Sequence, residues 1–188
     1  MGMALMSVPR YTVDDIDRFP EDGNRYELLD GVLLVTPAPR AVHQIVVSRI
    51  QYRLTKAVGA PGHAHVVGPG AISVPPGTQL QPDILVYPSR FSPTTDWVRI
   101  TEYWLAVEVL SRSSRMYDRE FKRDAYFALG LREVWLVDAR NECVEVCRDR
   151  GPGEITRDVI EWRPPALDVT VSMPLDQVFA GIWTTDQP

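Results

Sequence analysis

Two apolar stretches of this sequence each carry an acid where a buried residue is expected. PDILVY (82–87) holds Asp83 near its start, and LAVEVL (105–110) holds Glu108 between two valines. Burying even a neutral polar group without a partner costs roughly 2–7 kcal/mol. Each acid therefore lies at an exposed strand end, or the fold compensates it. By strand alternation Asp83 shares a face with Leu85 and Tyr87, and Glu108 with Ala106 and Leu110. If the strands are neighbours, the carboxylates converge, and two such groups cannot both stay ionised unaided. A divalent cation is one remedy. Magnesium takes one or two carboxylates, keeps several waters and completes its shell with phosphate oxygens. The plainer alternative is two separate salt bridges or two strand-end acids. Lys122 follows Glu108 in a helical segment, where an ammonium can orient an attacking water and stabilise charge developing around phosphorus. The plain reading of that lysine is a solvated helix residue flanked by Arg119 and Arg123.

The elements that would position these residues are legible in outline. Thr12 is placed to cap a short amphipathic segment, VDDIDRF. RYELL-DG-VLLVT predicts a β-hairpin around an Asp30-Gly31 turn. From about residue 40 to 58, His43, Val46, Val47, Ile50, Leu54 and Val58 form one stripe at helical spacing; Gly59, Pro61 and Gly62 stop it. Short β segments follow (HAHVVG, AISV), then a strand over 82–87 that begins with a proline. Residues 88–101 predict a polar loop. YWLAVEVL (103–110) predicts a strand, Asp118 is placed to cap a helix ending at Gly130, and EVWLVD (133–138) predicts a second strand. Strand, helix and strand at this spacing form a βαβ unit with parallel strands. ECVEVCRDR pairs back through a turn near Arg140-Asn141, and PLDQVFAG gives a last helical turn. The sum is an α/β fold, a mixed sheet flanked by two main helices, in a single domain spanning 1–188 with its core at about 11–180.

Composition narrows the function classes. The chain has 188 residues, 45% of them apolar and 24% charged, ordinary for a soluble globular protein. No apolar run reaches the ~18 residues of a membrane span. The N-terminus lacks the basic and long apolar regions of a signal peptide, which predicts a cytoplasmic protein. Net charge is −5, from 25 acids and 20 bases, which argues against a constitutively tight, non-specific nucleic-acid binder but not against a nuclease with an acidic metal site. Cys143 and Cys147 are spaced as same-face core thiols and form no zinc or disulfide pattern. His63 and His65 alternate along a strand but lack a third zinc ligand. Trp97, Tyr103, Trp104 and Trp135 are predicted to pack in the core or at edges. His43 lies on the apolar stripe of its helix, as a satisfied core histidine would, or else reaches toward Glu27 or a substrate phosphate.

The ordered motifs Y-E-L-L-D-G, H-Q, P-D-I-L-V, V-E-V-L-S, K-R-x-x-Y-x-x-L-G and E-V-W-L-V-D resemble the Uma-type restriction-endonuclease family, within the PD-(D/E)XK nuclease superfamily. The resemblance covers roughly residues 11 to 180. It implies a restriction-endonuclease-like fold with an N-terminal β-hairpin, and Mg²⁺-dependent hydrolysis of DNA with Mn²⁺ able to substitute. In its terms Asp83 and Glu108 are the metal-binding acids and Glu27 is the additional N-terminal acid. His43 and Gln44 match the H-Q pair near the site. The superfamily lysine would stand at position 110, which is leucine here, and Lys122 matches a lysine moved to the following helix. Arg112 replaces a proline common in relatives. Many such nucleases are homodimers. Two rival readings stay open: a nucleic-acid-binding or scaffold protein of the same fold without turnover, and a metal-dependent hydrolase of a small phosphate ester.

If Lys122 has taken the lysine's place, its amine should lie within ~4–6 Å of a Glu108 or Asp83 oxygen, with Glu27 approaching from the hairpin. In metal-free buffer Glu108→Gln is expected to be neutral or stabilising, because it relieves like-charge repulsion.

Overall fold

Asp30 and Gly31 both hold positive φ, 50° and 79°, the geometry of a tight two-residue hairpin turn that glycine accepts without strain. RYELL and VLLVT therefore fold back on each other as β1 (Arg25–Leu29) and β2 (Val32–Thr36), antiparallel, with Glu27 opposite Leu34. The computed structural model describes residues 10–110 and 121–183. Ahead of the hairpin lies α1 (Val13–Ile16), where the Thr12 amide donates to the Asp15 carboxylate at 2.8 Å. After it, the predicted stripe forms α2 (Ala41–Leu54), prolonged by a π-helical turn at Thr55–Gly59. Val46, Val47, Ile50, Leu54 and Val58 are all buried.

The remaining elements are β3 (Ala64–Val67), β4 (Ile72–Val74), β5 (Thr78–Leu80), β6 (Ile84–Pro88), β7 (Leu105–Val109), α3 (Arg123–Ala128), β8 (Glu133–Asp138), β9 (Cys143–Cys147), β10 (Glu154–Thr156), β11 (Val159–Trp162), β12 (Val171–Pro174) and α4 (Leu175–Phe179). A 3₁₀ turn at Trp97–Arg99 interrupts the loop predicted over 88–101. The main sheet runs β10-β9-β8-β7-β6-β3. It is mixed: β7 and β8 are parallel, as the predicted βαβ crossover requires, and β9 returns antiparallel. The hairpin does not stand alone. It joins β5 and β4 in a second sheet of order β2-β1-β5-β4, and β11 and β12 form a third. The sequence patterning does not separate these sheets. The predicted helix start at Asp118 and the Arg112 loop lie outside the described residues.

The main sheet is buried on both faces, hence its continuous apolar strands. One face carries Ile84, Val86, Leu105, Val107 and Trp135 against α2 and the C-terminal elements, and Trp135 meets Trp162 edge-to-face at 6.1 Å. The other carries Leu85, Ala106, Leu110, Val134 and Leu136 against Tyr126, Leu131 and the second sheet's Ile72 and Leu80. Asp83 and Glu108 belong, by alternation, to this second face. Tyr103 and Trp104 are buried, Trp97 packs edge-on against Tyr87, and Cys143 and Cys147 are buried.

Candidate active site

β6 and β7 are antiparallel neighbours with Ile84 opposite Val107, and the same register continued by one residue sets Asp83 across from Glu108. Asp83 precedes the first residue of its strand, so its carboxylate reaches past the sheet end. Its Oδ2 accepts from the Val109 amide at 2.9 Å and from His43 Nε2 at 3.0 Å, and its Oδ1 accepts from Arg25 at 2.9 Å. Burial pushes the Asp83 carboxyl up, but the His43 hydrogen bond and charge, the Arg25 guanidinium and the Val109 amide together hold it below the ordinary carboxylate range.

Glu108 is 3% exposed. Lys122, directly before α3, stands with its ammonium 3.3 Å from Glu108 Oε1 and 2.7 Å from Glu27 Oε2. The Tyr126 hydroxyl, one helical turn after Lys122, donates to the same Glu108 oxygen. Glu27 is fully buried on β1, and its Oε1 accepts from the Gln81 amide at 2.7 Å. Arg25 shares the Glu27 face by alternation. Burial draws its guanidinium down, but Asp83, Glu108 and Glu27 outweigh this and raise it. Among the described residues, three carboxylates from two sheets thus interleave with the basic side chains of Arg25 and Lys122, and the protein's own groups accompany Glu108 in its apolar strand.

Asp83, Glu108, Lys122 and Glu27 are therefore brought together, and the Lys122 distance falls inside the expected range. His43 reaches this cluster too, but its partner is Asp83 and not Glu27. Its Nδ1 is buried with no hydrogen-bond partner among the described residues. Gln44 is exposed on the same helix turn. His65 is engaged elsewhere, with Nε2 2.7 Å from the Phe91 carbonyl. Sequence reasoning missed Arg25 and Tyr126. Both had a signal: Arg25 lies two residues before Glu27 on the same strand face, and Tyr126 lies four after Lys122 on the same helix face.

The donor set suits a hard cation. Two carboxylates across neighbouring strands match what magnesium takes from a protein. Among the described residues no group of three or more His, Cys, Asp or Glu is arranged as a metal cage. Asp83 accepts hydrogen bonds at both oxygens, so an ion there would share the carboxylate with Arg25, His43 and the Val109 amide.

The same fold occurs in a crystal structure described as a "putative nuclease belonging to DUF820" from Anabaena variabilis, with a TM-score of 0.71 and 17% identity over 92% of this chain and 99% of that chain. The two chains share a mixed α/β fold. The family model described as Uma2, "Putative restriction endonuclease", matches residues 13–185, and the chain belongs to that family. No curated protein matches it.

Proposed function

We propose that the protein is a Mg²⁺-dependent endonuclease that hydrolyses phosphodiester bonds of DNA. The observation that carries this reading is the convergence of Asp83, Glu108, Glu27 and Lys122, drawn from both sheets and the α3 segment, in one buried cluster. Asp83 and Glu108 would hold the metal, with Mn²⁺ able to substitute. When bound, such an ion supplies charge to stabilise the pentavalent phosphorus transition state and lowers the pKa of an attacking water.

The chain's own residues have separate tasks. Lys122 positions the attacking water and offers positive charge to the phosphoryl oxygens. Glu27 holds Lys122 in place at 2.7 Å. Tyr126 fixes the rotamer of Glu108, and His43 and Arg25 fix that of Asp83. The water oxygen bonds to phosphorus and the bond to the 3′ oxygen breaks. The water's proton leaves to solvent and the 3′ oxygen takes one up. The products are a 5′-phosphate and a 3′-hydroxyl. Cleaving both strands of a duplex suits a twofold homodimer in the cytoplasm, and among the described residues no helix is long and apolar enough to cross a membrane.

The test is plasmid cleavage with Mg²⁺ or Mn²⁺, with and without chelator. Asp83→Ala, Glu108→Ala and Lys122→Arg should each lose most of the activity, since groups acting as a unit fail together. Cleavage at wild-type rate by all three variants overturns the assignment. One observation favours the alternative of a silent, nucleic-acid-binding or scaffold member of the fold: Asp83 is fully engaged by protein partners and Lys122 is bracketed by two carboxylates. Calorimetric titration with Mg²⁺ separates the readings. Heat of binding that disappears in Glu108→Ala supports the nuclease, and its absence from the wild type supports the scaffold.

A further inference from the structure

A second polar site lies on the opposite face of the hairpin sheet from Glu27. Leu28, Gln79 and Ser73 stand in line across β1, β5 and β4, while the alternate residues Ile72 and Leu80 point into the core toward the carboxylate cluster. Above Ser73 and Gln79 opens a cleft of about 360 Å³, walled by α1 and the segment 93–98. Asp14 lines it from α1, Asp17 from the position just after that helix, and Asp96 from the loop. Their three-residue spacing puts Asp14 and Asp17 on one side of α1. Asp15, between them, is used in the cap. Among the described residues neither Asp14 nor Asp17 has an ion-pair partner, and Asp96 has only a 4.0 Å contact with a largely exposed Arg99.

An acidic rim alone would be a solvated surface. The floor is different. Ser73 is 4% exposed, lines the cleft, and its hydroxyl has no hydrogen-bond partner among the described residues. A buried hydroxyl left unmatched is destabilising; the Ser73 oxygen is closed to water in the free protein, so a ligand donor would satisfy it by slightly opening the floor of the cleft. Trp97 also lines the cleft, and an indole face attracts a cation. The carboxylates do not converge as a metal cage. Spread around a cleft of small-ligand size, they suit a positive charge carried on a short carbon chain.

We propose that this cleft binds a small organic cation, an alkylammonium or alkylguanidinium group, with the charged head held by Asp14, Asp17 and Asp96 against Trp97 and a donor reaching Ser73. The site is separate from the proposed nuclease centre and does not depend on it.

Calorimetric titration of the full chain with putrescine, agmatine and acetyl-arginine amide tests the proposal, with 1,4-butanediol and MgCl₂ as controls. Saturable one-to-one binding of at least one organic cation, and none of the diol, is expected. Tighter binding of acetyl-arginine amide than of agmatine assigns the cation to a peptide side chain, and the reverse order to a free amine. Trp97→Leu should weaken binding about threefold to fivefold, the weight of a cation–π contact. Asp14→Asn combined with Asp17→Asn should weaken it about tenfold, the scale of two partly exposed charge contacts. Ser73→Ala should lower affinity while leaving the melting temperature of the ligand-free protein unchanged or higher, a split that a purely structural serine would not produce. Equal binding of the diol, no saturable binding of any cation, displacement by equimolar Mg²⁺, or unchanged affinity in Ser73→Ala overturns the proposal.

Discussion

Lys122 sets the electrostatics of the cluster. It is 4% exposed and lies between Glu27 and Glu108. An ammonium so buried is tolerated only because its partners are in place, and removing one member of a buried pair costs far more than the pair contributes net. Lys122→Met should therefore lower the unfolding free energy by about 3–5 kcal/mol at neutral pH, read from urea denaturation; a loss under about 1 kcal/mol would show a solvated pair. Glu108→Gln should behave differently. Glu27 still faces Lys122, the amide oxygen still accepts from Tyr126, and one of the three carboxylates crowded together among the described residues becomes neutral. Its metal-free stability should stay within about 1 kcal/mol of wild type or rise. A drop of more than about 2 kcal/mol would mark Glu108 as an indispensable structural partner.

At the scale of elements, the site depends on how closely the segment before β6 is packed. A Cβ added at Gly68 would lie 2.7 Å from the Asp83 carbonyl oxygen and 3.0 Å from Gln51 Oε1. The glutamine can swing away, but the carbonyl belongs to the backbone that aims Asp83. Gly68→Ala should cost about 1–3 kcal/mol, as overpacking does, and should reduce metal binding and cleavage along with stability. Wild-type metal affinity in that variant would show that the Asp83 carboxylate is placed independently of its backbone. The hairpin is the second critical element. A one-residue slip of β1 would turn Arg25 and Glu27 to the other face of their sheet, and the positive φ at Asp30 and Gly31 pins the register against it.

For the whole molecule, the second core face makes stability sensitive to alkali. Tyr103 is buried there, donates its hydroxyl to the Ile100 carbonyl, and burial pushes its phenol up to about 12. An unfolded tyrosine titrates near ~10. The folded state thus keeps a proton that the unfolded chain releases first. This contribution is fully present below pH ~10 and is lost as pH rises through the folded value, with slope set by the difference in bound protons. Urea midpoints should fall between pH 10 and 12, and Tyr103→Phe should flatten that part of the profile. An identical slope in the variant would assign the loss to other groups.

The sequence by itself determined the local pieces. Asp30-Gly31 specified a hairpin, the 43–58 stripe specified α2, and unbroken apolar runs specified strands buried on both faces. Acids inside two such runs marked Asp83 and Glu108 as either strand-end or compensated residues, and the order of motifs pointed to the family. Tertiary structure alone decided which groups compensate them. Arg25 and Glu27 reach the cluster from a different sheet, in which β1 pairs with β5 through Leu28 and Gln79. Such a contact has no period to read, because alternation records which face a residue takes and not what lies opposite. The choice of Asp83 over Glu27 by His43, and the Tyr126 hydroxyl on Glu108, follow from the angles at which α2 and α3 cross the sheet. Those angles are set by packing many side chains at once, and no short stretch of sequence encodes them.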